Sequence, residues 1–378
     1  MFFIIVFSIY GGMHLYAFLR ARAAFSFGLT SGIFLAFFML AMTFAPFIVR
    51  MLEKYGFDVP AQVLSYTGYI WMGVVFLFFF CSITFDIYRL IVYAGESLSG
   101  RNLAVLKMSA RVLFLLPLLL SLLIASYGYY EALNIKTEKV EIYTSKLSEE
   151  TGRLRIVQIS DVHIGLIVRE SRLKRILAEV ISAEPDILVS TGDLVDGQIN
   201  NIAGIAEIFQ EIKPRFGKFA ITGNHEFYAG IDKSLEFIDK AGFQILRGKG
   251  ITVSDVINIA GFDDITGKSF GFYTDVPEEQ VLKQLPAGLF TILLKHRPRV
   301  DKDAVGHFDL QLSGHSHKGQ IFPFSLLTKF YYPVHAGYLK LSDKSSLYVS
   351  RGSGTWGPPI RFLAPPEVTV IDLIHKGS

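Results

Sequence analysis

The stretch "LSGHSHKGQ" places His315 and His317 two residues apart, just after Gly314. In extended backbone, residues i and i+2 point to the same side, so both imidazoles can reach one site. Other short runs carry residues of the same chemical kind. "SDVH" holds Asp161 and His163, "GDLVD" holds Asp193 and Asp196, "GNHE" holds Asn224 and His225, and "LLKH" ends in His296. Together they offer carboxylate oxygens, imidazole nitrogens and one carboxamide, with no thiolate. That donor set suits divalent Mn2+, Fe2+ or Zn2+, not a cysteine-rich structural zinc site. Two such ions held side by side suit the hydrolysis of phosphoesters, because they activate water and neutralise phosphoryl charge.

Elements must then bring these runs together. Each follows an apolar, β-rich segment: "LRIVQIS", "DILVSTG", "KFAITG", "FTILLK" and "FDLQLSG". The polar residues therefore fall at or just beyond the C-terminal ends of predicted strands, where open α/β sheets gather ligand-binding groups. Gly192, Gly223 and Gly314 precede three of the sets and permit the sharp turns that aim side chains inward. Between the strands, "RESRLKRILAEVISAEP" repeats apolar residues at helical spacing, and helices are also predicted over about 202–212 and 233–241. Further strands are predicted at "FQILRG", "VINIAGFDD", "SLYVSRG" and "EVTVIDL". The alternation argues for an α/β layered domain of more than one sheet.

The first third of the chain is different. Hydrophobic residues make up 51% of the sequence, and they are concentrated there. Four stretches, about 1–19, 28–49, 69–92 and 112–130, approach the roughly 20 apolar residues that a bilayer requires. Pro46 and Pro117 are compatible with membrane helices. The chain therefore divides into a transmembrane helical domain at 1–131, a polar linker at 132–152 and a catalytic domain at 153–378. Arg20 and Arg22 mark the first loop and Arg101 and Lys107 the third, whereas Arg50 and Lys54 are offset by Glu53 and Asp58 in the second. The positive-inside rule then places the first and third loops in the cytoplasm and everything after Tyr130 outside, as in a multi-pass inner-membrane protein. Asp86 is expected to pair with Arg89 at i, i+3, while His14 and Cys81 read as packing residues. The single cysteine precludes an intrachain disulfide, and a net charge of +3 without a dense basic run gives no footprint for nucleic acid.

The ordered set "DVH", "GDLVD", "GNHE", "KH" and "GHSH" resembles the calcineurin-like metallophosphoesterase superfamily, over 153 to the C-terminus. "LSGHSHKGQI", "LYVSRGSGTWGPPIR" and "PPEVTVIDL" resemble its membrane-anchored bacterial branch, which includes UDP-diacylglucosamine pyrophosphatase-like phosphodiesterases. The resemblance implies a layered α-β-β-α domain, and it implies roles. Asp161, His163 and His317 would bind one metal; Asn224, His296 and His315 would bind the other; Asp193 would bridge them. His225 would face the substrate and protonate the leaving oxygen, with Asp196 setting its tautomer. Gly197 stands where the protein-phosphatase branch has arginine, which argues against phosphoserine or phosphothreonine. Arg351, in a glycine-rich setting, is a candidate phosphate contact, whereas Lys318 and Arg297 read as solvated. His307, His335 and His375 match no motif. The aromatic stretch 321–334 reads equally as a lipid-facing flap or a packed loop.

The expectation is a membrane-bound, two-metal phosphoesterase acting on a phosphodiester or pyrophosphate in a lipid-linked or cell-envelope substrate. Its rivals are a UDP-2,3-diacylglucosamine pyrophosphatase-type hydrolase of lipid A synthesis facing the cytoplasm, and a non-catalytic membrane sensor with a phosphatase-like domain. The intact ligand set disfavours the sensor. A transporter is disfavoured too, since the spans carry few polar residues.

Overall fold

The apolar N-terminal third folds into helices because its residues alternate between lipid-compatible side chains and few breakers. The computed structural model describes residues 2–197 and 204–377, with side chains described from residue 7. Its first four helices are α1 (Phe2–Phe25), α2 (Leu29–Lys54), α3 (Asp58–Ser99) and α4 (Ala110–Glu131). Among the described residues, α2, α3 and α4 are long and apolar enough to cross a membrane. The remaining expected span, 1–19, falls partly on residues 1–6, whose side chains lie outside the described residues.

The span expected at 69–92 is the middle of one 42-residue helix, about 63 Å long at 1.5 Å per residue. Its one proline, Pro60, lies in the first turn, and Gly100 closes the helix with φ 63°. Asp86 is more heavily paired than expected. It accepts a hydrogen bond from Tyr16 and ion-pairs with Arg20 as well as with Arg89. His14 is buried and accepts a hydrogen bond from Trp71 Nε1 at 2.8 Å.

The chain splits into two compact units, Met1–Tyr130 with Pro358–Ile360, and Glu131–Gly357 with Arg361–Ser378. The second contains two six-stranded sheets. In the first, the order is β1 (Lys136–Thr144), β12 (Glu367–His375), β2 (Arg153–Ile159), β3 (Ile187–Ser190), β4 (Lys218–Ala220), β5 (Gln244–Ile245). In the second, it is β10 (Gly337–Lys340), β11 (Ser346–Val349), β9 (Leu310–Ser313), β8 (Phe290–Leu294), β7 (Ile257–Gly261), β6 (Lys249–Val253). Strands β2 to β5 run parallel, as do β7, β8, β9 and β11.

One core joins the inner faces, with Ile156, Val189 and Phe219 from the first sheet and Ile259, Ile292 and Leu312 from the second. Outside the first sheet, α5 (Glu170–Ser182) buries Leu173, Ile176, Leu177 and Val180. Outside the second, Val281 and Leu282 of the helix Glu278–Leu282 pack with Phe262, Leu293 and Phe308. The layers are thus α-β-β-α, as the resemblance implied.

Sequence expectation and structure differ at two places here. The segment 132–152, read as a linker because it is polar, contributes β1, which pairs in parallel with β12 along its whole length from Lys136↔Glu367 to Thr144↔His375. Its polarity is that of an edge strand, exposed along one row and half-buried along the other. The helix expected over 202–212 is a single turn, Ile205–Ile208, continuing as a 3-10 turn, Phe209–Glu211; residues 202 and 203 lie outside the described residues.

Candidate metal centre

Parallel strands present all their C-terminal ends on one edge, and every motif residue sits just beyond such an end, on a loop or in the first turn of a short helix. Asp161 and His163 follow β2, Asp193 and Asp196 follow β3, Asn224 and His225 follow β4, His296 follows β8, and His315 and His317 follow β9. The loops are laced to one another through the backbone. Asp161 N–H donates to Gly192 O at 3.0 Å, His163 N–H to Asp193 O at 3.0 Å, and Gly314 N–H to His296 O at 2.9 Å. Beneath them, buried Gln158 spans the sheets, donating through Nε2 to Thr191 Oγ1 at 2.9 Å and Ser313 O at 3.1 Å.

The turns carry strain. Asp161, His163, Asp193, His315 and His317 have φ of 51°, 55°, 52°, 67° and 47°, a left-handed conformation that costs a non-glycine residue about 1–3 kcal/mol. Two motif glycines serve a different need from the turns expected of them. A Cβ on Gly314 would collide with Ser160 Oγ and Asp161 Oδ2, and one on Gly223 with Asp193 Oδ1. They allow close approach of neighbouring loops to the carboxylates.

The side chains converge in overlapping groups: Asp161, His163 and His317; His163, Asp193 and His225; Asp193, His296 and His315. Asp161, His163, Asp193, Asn224, His225, His296 and His317 are buried, while His315 and Asp196 are half-buried. His163 Nε2 lies 3.1 Å from His317 Nε2, and His315 Nδ1 lies 3.1 Å from His296 Nε2. Asp193 Oδ2 lies 3.1 Å from His296 Nε2 and 3.8 Å from His163 Nε2, while its Oδ1 accepts His225 N–H at 2.8 Å. Asn224 Oδ1 is buried without a hydrogen-bond partner. Imidazole nitrogens turned on one another, a shared carboxylate and an unsatisfied amide oxygen form a donor set that divalent cations satisfy. His296 Nδ1 donates to Thr191 O at 2.8 Å, which turns Nε2 toward the centre.

Electrostatics in this cluster are sharply divided. Burial pushes the Asp161 carboxyl up to about 6, and pushes the His163 and His315 imidazoles down to about 4 and about 3. Burial also opposes charge on His225, but the Asp193 and Asp196 carboxylates outweigh it and raise this residue to about 9. Asp196 Oδ1 lies 2.8 Å from His225 Nδ1. Asp193 is buried too, yet His296 and His225 beside it hold it well below the usual carboxylate range.

Three residues important to this geometry were not singled out from the sequence. Glu226, the last residue of "GNHE", is fully buried and accepts backbone N–H bonds from Asp193 at 2.9 Å, Leu194 at 2.7 Å and Gly223 at 2.6 Å. Its position inside a motif was the available signal. Arg361, in "GPPIR", is fully buried; its guanidinium reaches the carbonyls of Gly354, Arg351 and His317 and lies 3.0 Å from His317 Nδ1. Asp264 follows β7 and ion-pairs with Arg297 at 2.7 Å, so Arg297 is partly buried and paired, not simply solvated.

Arg351 also departs from expectation. Its guanidinium is occupied by Glu138 of β1 and Glu367 of β12, with Nε 2.7 Å from Glu367 Oε2. It ties the loop after β11 to the two strands β1 and β12 and is not placed as an unpaired phosphate contact, because the glycine-rich loop turns it toward the sheet edge.

Residues 154–319 match the family model for the calcineurin-like phosphoesterase domain. The chain is 38% identical over 261 residues to an uncharacterized metallophosphoesterase of Aquifex aeolicus, covering 68% of this chain and 99% of the relative. The chain belongs to the calcineurin-like metallophosphoesterases. It is a metal-dependent phosphoester hydrolase by family, with a membrane-associated helical unit. An uncharacterized metallophosphoesterase of Campylobacter jejuni is 30% identical over 345 residues, 90% of this chain and 88% of its own. A transmembrane protein with metallophosphoesterase domain from Danio rerio is 33% identical over 331 residues, 84% of this chain and 75% of its own. Both alignments are longer than the catalytic unit, so similarity to these relatives extends into the apolar helices.

Proposed function

We propose that this metallophosphoesterase binds two divalent ions and hydrolyses a phosphodiester or pyrophosphate bond in a lipid-linked or cell-envelope substrate. The observation that carries the reading is the shared carboxylate: Asp193 belongs both to a donor group with His163 and to one with His296 and His315. Asp161, His163 and His317 would hold one ion, Asn224, His296 and His315 the other, and Asp193 both. The oxygen- and nitrogen-rich donors favour Mn2+, Fe2+ or Zn2+. Bound there, the ions would supply water activation and charge neutralisation at phosphorus.

The chain's own groups do the rest. His225, fixed through Nδ1 by Asp196, keeps Nε2 available to give a proton to the leaving oxygen. Buried Glu226 holds the Asp193 and Gly223 loops by their N–H groups, which keeps Asp193 and His225 in register.

The outward placement of the catalytic unit rests on α2–α4 alone. Arg101, Lys107 and Arg111 lie before or at the start of α4, so a cytoplasmic loop there sends its C-terminal end across whatever α1 does. Purified full-length protein supplied with Mn2+ is expected to hydrolyse bis-p-nitrophenyl phosphate. Asp193→Ala and His225→Ala should remove most of that activity with the fold retained. No turnover by metal-loaded wild type would reject the enzyme reading in favour of the sensor. A reporter at the C-terminus active only in the cytoplasm would reverse the topology and favour a cytoplasmic nucleotide-lipid substrate.

A further inference from the structure

The stretch just after the histidine pair builds a helix that buries almost nothing. Phe324–Tyr331 reads FSLLTKFY, and its one buried side chain is Thr328. Leu326, Leu327, Phe330 and Tyr331 are exposed, Phe330 to 85%. Leu326 and Phe330, Leu327 and Phe330, and Leu327 and Tyr331 are three or four residues apart, so the four share a face. Phe322 before the helix and Tyr338 and Leu339 on β10 are exposed as well. Among the described residues of the catalytic unit, half of the exposed large apolar side chains fall between Phe322 and Leu339. A soluble surface does not gather them so; such a patch marks an interaction site.

The helix is fastened to the metal-ligand loop. Gln320 is bonded to Trp356 in both directions, donating from Nε2 to its carbonyl at 2.8 Å and accepting its N–H at 2.9 Å. Tyr332, at the helix end, is buried with its ring edge-to-face on His315 at 5.5 Å between centroids. The charge is one-sided: residues 315–340 contain Lys318, Lys329 and Lys340 and no aspartate or glutamate.

We infer that the face of Phe324–Tyr331, with Lys329 beside it, docks on an anionic lipid bilayer and so brings the metal centre to the membrane surface. A short amphipathic helix with aromatic and leucine residues on one side and lysine on the other is built to lie in the interface, too short to span it. The same chain carries helices apolar enough to cross a membrane, so the bilayer is always within reach at high effective concentration. Lys340 is paired with Asp343, but Lys318 and Lys329 lie in a run without acidic residues and complement anionic headgroups. A second copy fits less well, because a two-fold contact would set Lys329 near its own mate. The inference deepens the lipid-linked reading of the same site, but docking itself does not depend on turnover.

The test uses the full chain with Cys81→Ser, carrying an environment-sensitive fluorophore on Phe330→Cys or Leu326→Cys, with Asp232→Cys on another surface as control. In nanodiscs of phosphatidylcholine with phosphatidylglycerol, the labels at 330 and 326 should shift to shorter emission wavelength and be quenched by doxyl-labelled lipid. In amphipol they should report water, and the label at 232 should report water in both. Adding Lys329→Glu should weaken the shift in anionic discs and leave it unchanged in neutral ones. Water-like emission at both 330 and 326 in nanodiscs overturns docking. An equal shift in amphipol also overturns it, and identifies contact with protein instead. Hydrolysis of bis-p-nitrophenyl phosphate by the same samples reports separately on the metal centre. Docking with no hydrolysis would reject the proposed activity alone.

Discussion

Arg361→Met should loosen both the catalytic unit and one metal position. The guanidinium is fully buried, and burial lowers it to about 10, so it is charged at neutral pH. Its closest acceptors are Gly354 O at 2.5 Å, Arg351 O at 2.7 Å and His317 O at 3.1 Å. Methionine keeps much of the stem's volume but donates nothing, and the backbone carbonyls stay behind. Each acceptor left unpaired in the interior costs about 1–3 kcal/mol before water enters. Allowing for relaxation, a total of about 4 kcal/mol is expected, the cost of roughly two such acceptors. For a domain of this size that is a fall of about 8–16 °C in midpoint. Because Nη1 also holds the His317 backbone carbonyl at 3.1 Å and Nη2 packs 3.0 Å from its ring, the residue that carries this imidazole loses its anchor, and metal retention should fall. Arg361→Lys should recover little, since one ammonium cannot reach carbonyls that a planar fork spans. Thermal unfolding of purified full-length protein, paired with elemental analysis after dialysis against buffered metal, measures both effects. A midpoint within about 2 °C of wild type, together with full metal content, would refute the reasoning.

Asp193→Asn should leave less than the full metal complement by elemental analysis, since the shared carboxylate is lost to both donor groups. Glu226→Gln keeps the shape but offers one carbonyl where two carboxylate oxygens accept Asp193, Leu194 and Gly223 N–H groups; a loss of about 1–3 kcal/mol in denaturant unfolding is expected. Gly314→Ala should abolish hydrolysis of bis-p-nitrophenyl phosphate even where protein is recovered, because the new methyl displaces Ser160 and Asp161. Arg351→Leu should lower stability while leaving KM for the same substrate nearly unchanged, given its ties to Glu138 and Glu367. A several-fold rise in KM would return Arg351 to the substrate side.

Much of the centre was legible in the linear chain because its donors are carried in pairs and short runs. HxH in "GHSH" and DxH in "SDVH" read as shared sites on the premise of extended backbone, but all four residues take left-handed turns, so loop geometry and not strand alternation brings their side chains together. Strand ends and apolar spans were legible because period and composition act locally. Residues whose partners are remote in sequence were less readable. Arg351 looks like a phosphate contact until β1 and β12 bring Glu138 and Glu367 against it. Arg361 looks like one more arginine until the loop 351–364 closes around it. The polar run 132–152 looked like a linker, because an edge strand needs only one buried row and β12, its neighbour, comes last in the chain.

The sequence by itself determined the candidate donor types, their order and the apolar character of the first third. Tertiary structure decided which donors meet, which cations are already spent on carboxylates, and which apolar faces stay uncovered at the surface. The physical reason is range. Side-chain direction and hydrophobic period are set within a few residues, whereas pairing, burial and strain depend on strands brought together from opposite ends of the polypeptide.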